Sequence, residues 1–315
     1  MKISTAVKRK MVLKSAIIFG ATELTHYFYT LLKIYTMKQM IALMALLLTT
    51  SLSGQMQAPQ PSPAANFSQT VGLTKVEVVY SRPAMRGRVV MGDLVPYGAI
   101  WRTGANANTM IRFSDAVTIG KTTIEAGTYA LFTRPGKTMW EVFFYTKTDN
   151  WGAPAEWDVQ AVAATYEADV EQTDETVTSF TLQIADITYN DAVLEIAWEN
   201  TKIRIPFGVP TREKMAQSIA DVMKNNPTAQ DYYNSAVYYL QEGMDLKQAK
   251  TWMEISLKEN DEAYWVYRQY SLILAGLEEW ERAVAAAKTS LELAEKAGNA
   301  DYVKMNTESI AAWQK

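Results

Sequence analysis

Residues 177–208 read VTSFTLQIADITYNDAVLEIAWENTKIRIPFG. Apolar and polar residues alternate through 177–187, 192–198 and 203–207, and two groups of turn formers, Asn190-Asp191 and Glu199-Asn200-Thr201-Lys202, interrupt the alternation. A period of two puts alternate side chains on opposite faces, so the stretch predicts three half-buried strands joined by tight reversals. The same signature extends upstream through Val76/Val78/Tyr80 and residues 110–113, 117–119, 128–132, 140–145 and 162–170. Gly120-Lys121 and Arg134-Pro135-Gly136-Lys137 supply further turns. About nine short strands with no helical pattern between them predict an antiparallel β-sandwich over residues 73–209.

From Thr211 onward the period becomes helical. Thr211 is placed to cap a helix with Met215, Ile219 and Val222 on one face, Asn225-Asn226-Pro227 stops it, and Thr228 opens the next. Beyond that point the chain repeats itself at an offset of 34 residues: Tyr233 matches Tyr267, Leu240 Leu274, Leu246 Trp280, Ala249 Ala283, Ser256 Ser290 and Leu257 Leu291. Period and small packing residues resemble the tetratricopeptide repeat, a helix-turn-helix unit. Val237 and Ser271 stand where that repeat expects glycine, and its closing proline is missing. Two units and a trailing helix at 300–313 predict a short helical repeat-like domain over 210–315, one that leans on the sandwich or on a partner protein.

The 315 residues are 48% hydrophobic and 21% charged, ordinary for a globular chain. The formal charge of -3 hides a split: residues 1–54 hold seven Lys/Arg and one acid, leaving 24 basic and 33 acidic residues, about -9, beyond them. That balance argues against nucleic-acid binding through phosphates. A lysine, the apolar run 40–48 and small polar residues after it have the layout of a signal peptide over 37–58, with 1–36 as an upstream extension before a start at Met37. Residues 59–72, rich in Pro, Gln and Ser, read as a tether. The expectation is an exported, periplasmic or envelope-associated protein with no membrane anchor after cleavage. There is no cysteine, so packing alone must stabilise the exported fold.

Functional chemistry concentrates between Tyr80 and Arg112, where Arg82, Arg86, Arg88, Arg102 and Arg112 meet a single acid, Asp93. Pro83 holds Arg82 extended, and Gly87, Gly92, Gly98 and Gly104 permit sharp turns that could gather Arg88, Asp93, Tyr97, Trp101, Arg102 and Asn106. A rigid fork of donors beside an indole and a phenol suits carboxylates, phosphates or sugars. The candidate ligand-binding residues are therefore Tyr80, Arg82, Arg88, Asp93, Tyr97, Trp101, Arg102 and Asn106. The competing reading is a structural knot in which the arginines meet acids and loop carbonyls and Trp101 is core. Residues 148–201 contain no Lys or Arg but many acids, Glu167, Asp169, Glu171, Asp174 and Glu175 among them, which reads as a solvated outer face. Trp140 falls in an alternating run and is expected in the core; Trp151 and Trp157 lie in a loop where an exposed ring could touch a ligand.

Catalytic schemes are restricted by inventory. The only histidine, His26, lies in the leader, which removes triads, imidazole bases and His-based metal cages. No metal, cofactor or catalytic residue is assigned, and a hydrolase would have to work with Asp93 and a second carboxylate.

The segments SRPAMRGRVVMGDLVPYGAIWRTGANANT (81–109) and EAGTYALFTRPG (125–136) resemble the bacterial domain-of-unknown-function 2911 family, in which RP, GR, DLVPYG, WRTGAN and GTYALF recur in that order. The resemblance spans residues 62–207. It implies a domain that is commonly exported, sometimes with a helical repeat tail, and it implies no activity. The expected function is non-catalytic binding of an anionic or glycan-like envelope ligand, with a helical tail that docks a protein; the alternatives are a carboxylate-dependent glycan or ester hydrolase and an envelope scaffold.

Overall fold

The structure, a computed structural model, describes residues 25–26, 28–41 and 58–314. Residues 28–41 are helical, with Phe28, Leu32 and Met40 exposed. The apolar core and cleavage region of the expected signal peptide lie largely in 42–57, outside the described residues. Among the described residues no helix is long and apolar enough to cross a membrane. Residues 61–315 form a separate compact unit.

Nine strands build that unit's β-domain: β1 Ala64–Val71, β2 Thr74–Ser81, β3 Thr109–Phe113, β4 Val117–Ile119, β5 Thr122–Ile124, β6 Gly127–Arg134, β7 Met139–Tyr145, β8 Val162–Ala185 and β9 Asp191–Gly208. They hydrogen-bond in the order β1-β2-β3-β6-β7-β8-β9-β4-β5, and every neighbouring pair is antiparallel. β8 turns this sheet into two layers. Its first part pairs with β7 from Val162 to Asp169, and its remainder pairs with β9 from Val170 to Ala185. Val76, Val78, Ile111, Phe113, Val142 and Phe144 of one layer then share a core with Leu182, Leu194, Ile196, Ile203, Ile205 and Phe207 of the other. Alternation put these side chains on one face of each strand, and burying them against each other is the main stabilising term.

Three local expectations need correcting. Residues 162–170 and 177–187 are one strand, because the acidic segment between them bulges within the β8–β9 pairing, which shifts register between Gln172 and Val177 and again before Thr181. Glu199–Lys202 is no reversal: β9 runs through it, with Glu199 at φ 57° absorbing the irregularity. The tether read at 59–72 contains β1, which pairs with β2 from Ala64–Ser81 to Val71–Thr74. As a half-exposed edge strand it needs little apolar content, so composition alone resembled a linker.

Six helices follow: α1 Thr211–Lys224, α2 Ala229–Gln241, α3 Leu246–Leu257, α4 Tyr264–Gly276, α5 Trp280–Lys296 and α6 Ala300–Trp313. Thr228 caps α2 in a reciprocal box with Asp231. Ala249 and Ala283 are fully buried and let the helices approach, as the 34-residue repeat predicts, and Ala236 is buried with them. Ser271, in a position where glycine was expected, is also fully buried and donates its hydroxyl to the Arg268 carbonyl at 2.7 Å. Thr211 does not cap α1. Pro210 takes the cap position without a side-chain bond, and the Thr211 hydroxyl accepts from Leu73 N–H at 3.4 Å instead.

The helices are braced on one end of the sandwich. Gly72, at φ +55°, packs so closely that a Cβ there would lie 1.9 Å from Thr211 Oγ1 and 2.1 Å from the Tyr189 carbonyl oxygen. Around it Lys214 pairs with Asp115 at 2.8 Å, Arg212 with Glu242 at 3.0 Å, and Asn190 Nδ2 donates to Glu242 at 2.6 Å. Tyr189 bonds Gln241 through its hydroxyl. Burial pushes the Asp115 carboxyl up, but donors from Lys214, Ser114 and Thr74 outweigh it and hold the group below the ordinary carboxylate range. The Asn190 amide, against the opposing effect of burial and helped by Arg212, does the same for Glu242.

Candidate functional site

The arginine-rich segment divides into two structural parts with different fates. In the first, residues 82–95, the side chains are tied into the fold. Phe180 N–H donates to the Pro83 carbonyl and Met85 N–H to the Thr178 carbonyl, both at 2.9 Å, so the chain leaving β2 lies against β8 like a short extra strand. Arg82 reinforces that seam: Nε donates to the Phe180 carbonyl at 2.9 Å and Nη2 to Thr181 Oγ1 at 2.7 Å. Pro83 leaves Arg82 extended, the conformation that this seam requires.

Arg88 folds back on its own turn, donating to the carbonyls of Met85 and Ala84 at 2.9 and 2.8 Å, and Arg86 donates to the Pro61 carbonyl. The loop tip closes on itself through Val95 N–H to Val90 carbonyl at 2.9 Å. Tyr97 lies against Gly92, where an added Cβ would be 2.7 Å from the ring. Asp93 is exposed. The carboxylate that holds this loop is Glu199, which accepts from the N–H groups of Val90 and Met91 at 3.3 and 3.1 Å. Its role was not legible in the sequence, where it sits among turn formers 109 positions from Val90.

Tyr80 belongs to the core: 6% exposed, edge-on to Phe67 and Phe180, its hydroxyl accepting from Leu182 N–H at 3.3 Å. Trp101 is a second core anchor. It stacks on Trp198 at 5.9 Å, meets Phe180 and Trp140 edge-on at 5.1 and 6.2 Å, and donates Nε1–H to the Gly104 carbonyl. Its backbone pairs with Thr133 in both directions, which pins the start of the next loop to β6. Arg112 is exposed on β3 opposite Glu77, whose carboxyl it helps to lower after the Lys75 hydrogen bond.

The second part, residues 101–109, behaves differently. Thr103, Gly104 and Asn106 all have positive φ, a tight path held by internal bonds. Asn106 Nδ2 donates to the Ser62 carbonyl and Ser81 Oγ, each at 3.3 Å, so this predicted ligand residue has a structural task. Asn108, 3% exposed, clamps the neighbouring loop: its N–H donates to the Asn150 carbonyl at 3.1 Å and its Oδ1 accepts from Asn150 N–H at 3.0 Å. Two residues flanking Trp151 are thereby placed, since Gly152 is buried beside Arg102, a built Cβ there falling 3.1 Å from Arg102 Nη1.

Arg102 itself is half-buried, and its Nε is sealed from solvent with no acceptor. Among the described residues no acid or carbonyl takes a hydrogen bond or ion pair from its guanidinium. Trp151 is 81% exposed, whereas Trp157 is packed, stacked on Tyr145 at 4.7 Å and edge-on to Phe132 and Phe143 in a small cluster on the far face of β6 and β7. Trp140 is 2% exposed, as expected of a core residue. The eight residues proposed from sequence thus fall into core anchors (Tyr80, Trp101), seam and loop ties (Arg82, Arg88, Asn106), exposed tip residues (Asp93, Tyr97) and one uncommitted cation, Arg102.

Three cavities lie elsewhere. One of about 590 Å³ opens where β4 and β9 meet the start of α1, one of about 230 Å³ lies between Leu73, Tyr189 and α2, and one of about 430 Å³ sits under the β8 bulge. Neither Arg102 nor Trp151 lines any of these three. No cluster of three or more potential metal-ligating residues occurs among the described residues.

No curated protein and no solved structure matches the chain. Residues 62–207, which take in all nine strands but the last residue of β9, match the family described as a protein of unknown function (DUF2911).

Proposed function

We propose that the β-domain is a non-catalytic recognition module for an anionic or glycan-like component of the cell envelope, and that Arg102 is its ligand-facing cation. One observation carries this reading: Arg102 is a partly buried guanidinium with no protein acceptor, while Arg82, Arg86 and Arg88 all end on protein oxygens. The Nη groups of this guanidinium also lack a protein acceptor and are not sealed, so an incoming anion can take charge-assisted hydrogen bonds from them. The fold fixes the backbone on either side of it through the core-packed Trp101 and the Asn108–Asn150 clamp.

The hydrolase alternative rests on Asp93, an exposed side chain, and the carboxylate placed against its loop, Glu199, is committed to two backbone N–H groups. The helical stack is read as a protein-docking unit whose own aromatics, Tyr233 and Trp252, pack into its core while α1 and α2 fasten it to the sandwich.

The test is co-sedimentation of the full chain with isolated peptidoglycan and with acidic envelope polysaccharide, comparing wild type, Arg102→Ala and Arg88→Ala. Arg102→Ala is expected to lose binding while Arg88→Ala keeps it. Equal binding by wild type and Arg102→Ala overturns the assignment.

A further inference from the structure

The rim around Arg102 carries enough chemistry to narrow the ligand class, an inference that rests on the recognition reading above. We infer that the site takes a uronic acid residue of a glycan, its carboxylate on the Arg102 guanidinium and one face of its ring on the Trp151 indole.

The first argument is charge. Residues 101–109 contain one cation, Arg102, and residues 147–158 contain one, Lys147, which is paired with Asp158 at 2.8 Å. Within these two segments the one cation without an ionic partner is the Arg102 guanidinium. Phosphate at neutral pH carries between one and two negative charges, and protein sites for it gather several cations or a series of backbone N–H groups. Asp149 and Glu156 in the same loop add negative charge, which further disfavours a dianion. A carboxylate, a monoanion with two parallel acceptor oxygens, matches one planar guanidinium.

The second argument is shape. Trp151 presents a large apolar ring to solvent on a backbone fixed on both sides, by the Asn150–Asn108 bonds and by the packing of Gly152 beside Arg102. A rigid aromatic that exposes 81% of its surface contributes nothing to folding by burial, and it offers the apolar face that a pyranose ring covers with its C–H groups. Arg102 is not placed over that ring; the cation–aromatic contact recorded among the described residues is Arg134 with Phe143. The apolar indole and the cationic guanidinium are connected through Gly152, which follows Trp151 in the chain and packs beside Arg102 Nη1. A uronic acid has the same division, with its carboxylate at one end of an otherwise neutral ring.

The experiment is calorimetric titration of the full chain with tri-galacturonic acid, with galactotriose and with inorganic phosphate, using wild type, Arg102→Ala, Arg102→Lys and Trp151→Ala. Wild type should bind the acidic trisaccharide at least about 10-fold more tightly than the neutral one, and phosphate should give no saturable heat. Arg102→Ala should erase the preference for the acid, and Arg102→Lys should restore only part of it because the fork is lost. Trp151→Ala, at a site too exposed to affect folding, should weaken acidic and neutral sugars by the same factor of roughly 10. Equal affinity of wild type for the two trisaccharides overturns the uronate assignment and leaves the glycan reading standing. Phosphate binding that competes with the sugar overturns the assignment in favour of a phosphorylated ligand. Failure of all three probes to bind overturns the uronate assignment, while the co-sedimentation test above decides the recognition reading separately.

Discussion

Arg82 and Arg102 open two loops of the same arginine-rich segment, and their side chains meet opposite fates. Arg82 lies along the seam between the chain leaving β2 and β8, with both ends of its guanidinium on protein acceptors. Arg102 lies one loop further on, next to a clamped and exposed tryptophan, and meets no acceptor. The contrast teaches that density of charge in a sequence marks a place where loops must be held together, and that only the group left over after the holding is done points to a ligand. Polar groups with structural partners follow from the need to pair buried donors. An unpaired one calls for a different cause.

The comparison can be broken by mutation, beginning where the effect is largest. Gly72→Ala places a methyl inside Thr211 and the Tyr189 carbonyl at a positive φ, and should cost about 3 kcal/mol or more in urea unfolding; a near-wild-type midpoint would mean that the helix brace is not rigid. Arg82→Ala removes two charge-assisted bonds and leaves the Phe180 carbonyl unpaired, so a loss of about 2–3 kcal/mol is expected. Arg102→Ala, by contrast, deletes a donor that has no partner and should stay within about 0.5 kcal/mol of wild type or exceed it. Equal losses at the two positions would erase the distinction.

A smaller effect follows from pH. The Asp115 carboxyl sits below its unfolded value, so it contributes stability that is present above the ordinary carboxylate range and lost as pH falls through its lowered folded value. Glu242 acts in the same direction. Acid should therefore loosen the brace between sandwich and helices, and Asp115→Asn should flatten part of the fall in thermal midpoint between about pH 5 and pH 3. An unchanged acid profile in that variant would remove the Lys214–Asp115 pair from the brace.

The layers of the sandwich were legible because period-two alternation reports burial directly: Val76, Val78, Ile111 and Phe113 are in the core where the pattern placed them. The helical tail was legible through its 34-residue self-similarity, down to the buried Ala249 and Ala283. What alternation does not encode is where a strand bends or bulges. The nine alternating runs correspond to seven strands, because β8 and β9 each absorb two, while β1 and β5 went unread, one half-exposed and the other three residues long. The arginine-rich segment is legible as a concentration of charge, rings and turn formers, but the bonds that commit most of its side chains are not. Arg82, Arg88 and Asn106 are bonded to atoms from Ser62 to Thr181, partners that no spacing rule reveals. Trp151 stands out by its loop, but the Asn108–Asn150 clamp that fixes that loop is a contact across 42 positions.

The most direct test of that division is the arginine side-chain Nε–H spectrum of the full chain during titration with an acidic glycan. The Arg102 signal should shift progressively to saturation while those of Arg82 and Arg88, held by protein carbonyls, stay in place. Movement of the Arg82 or Arg88 signals with Arg102 unmoved would contradict the account.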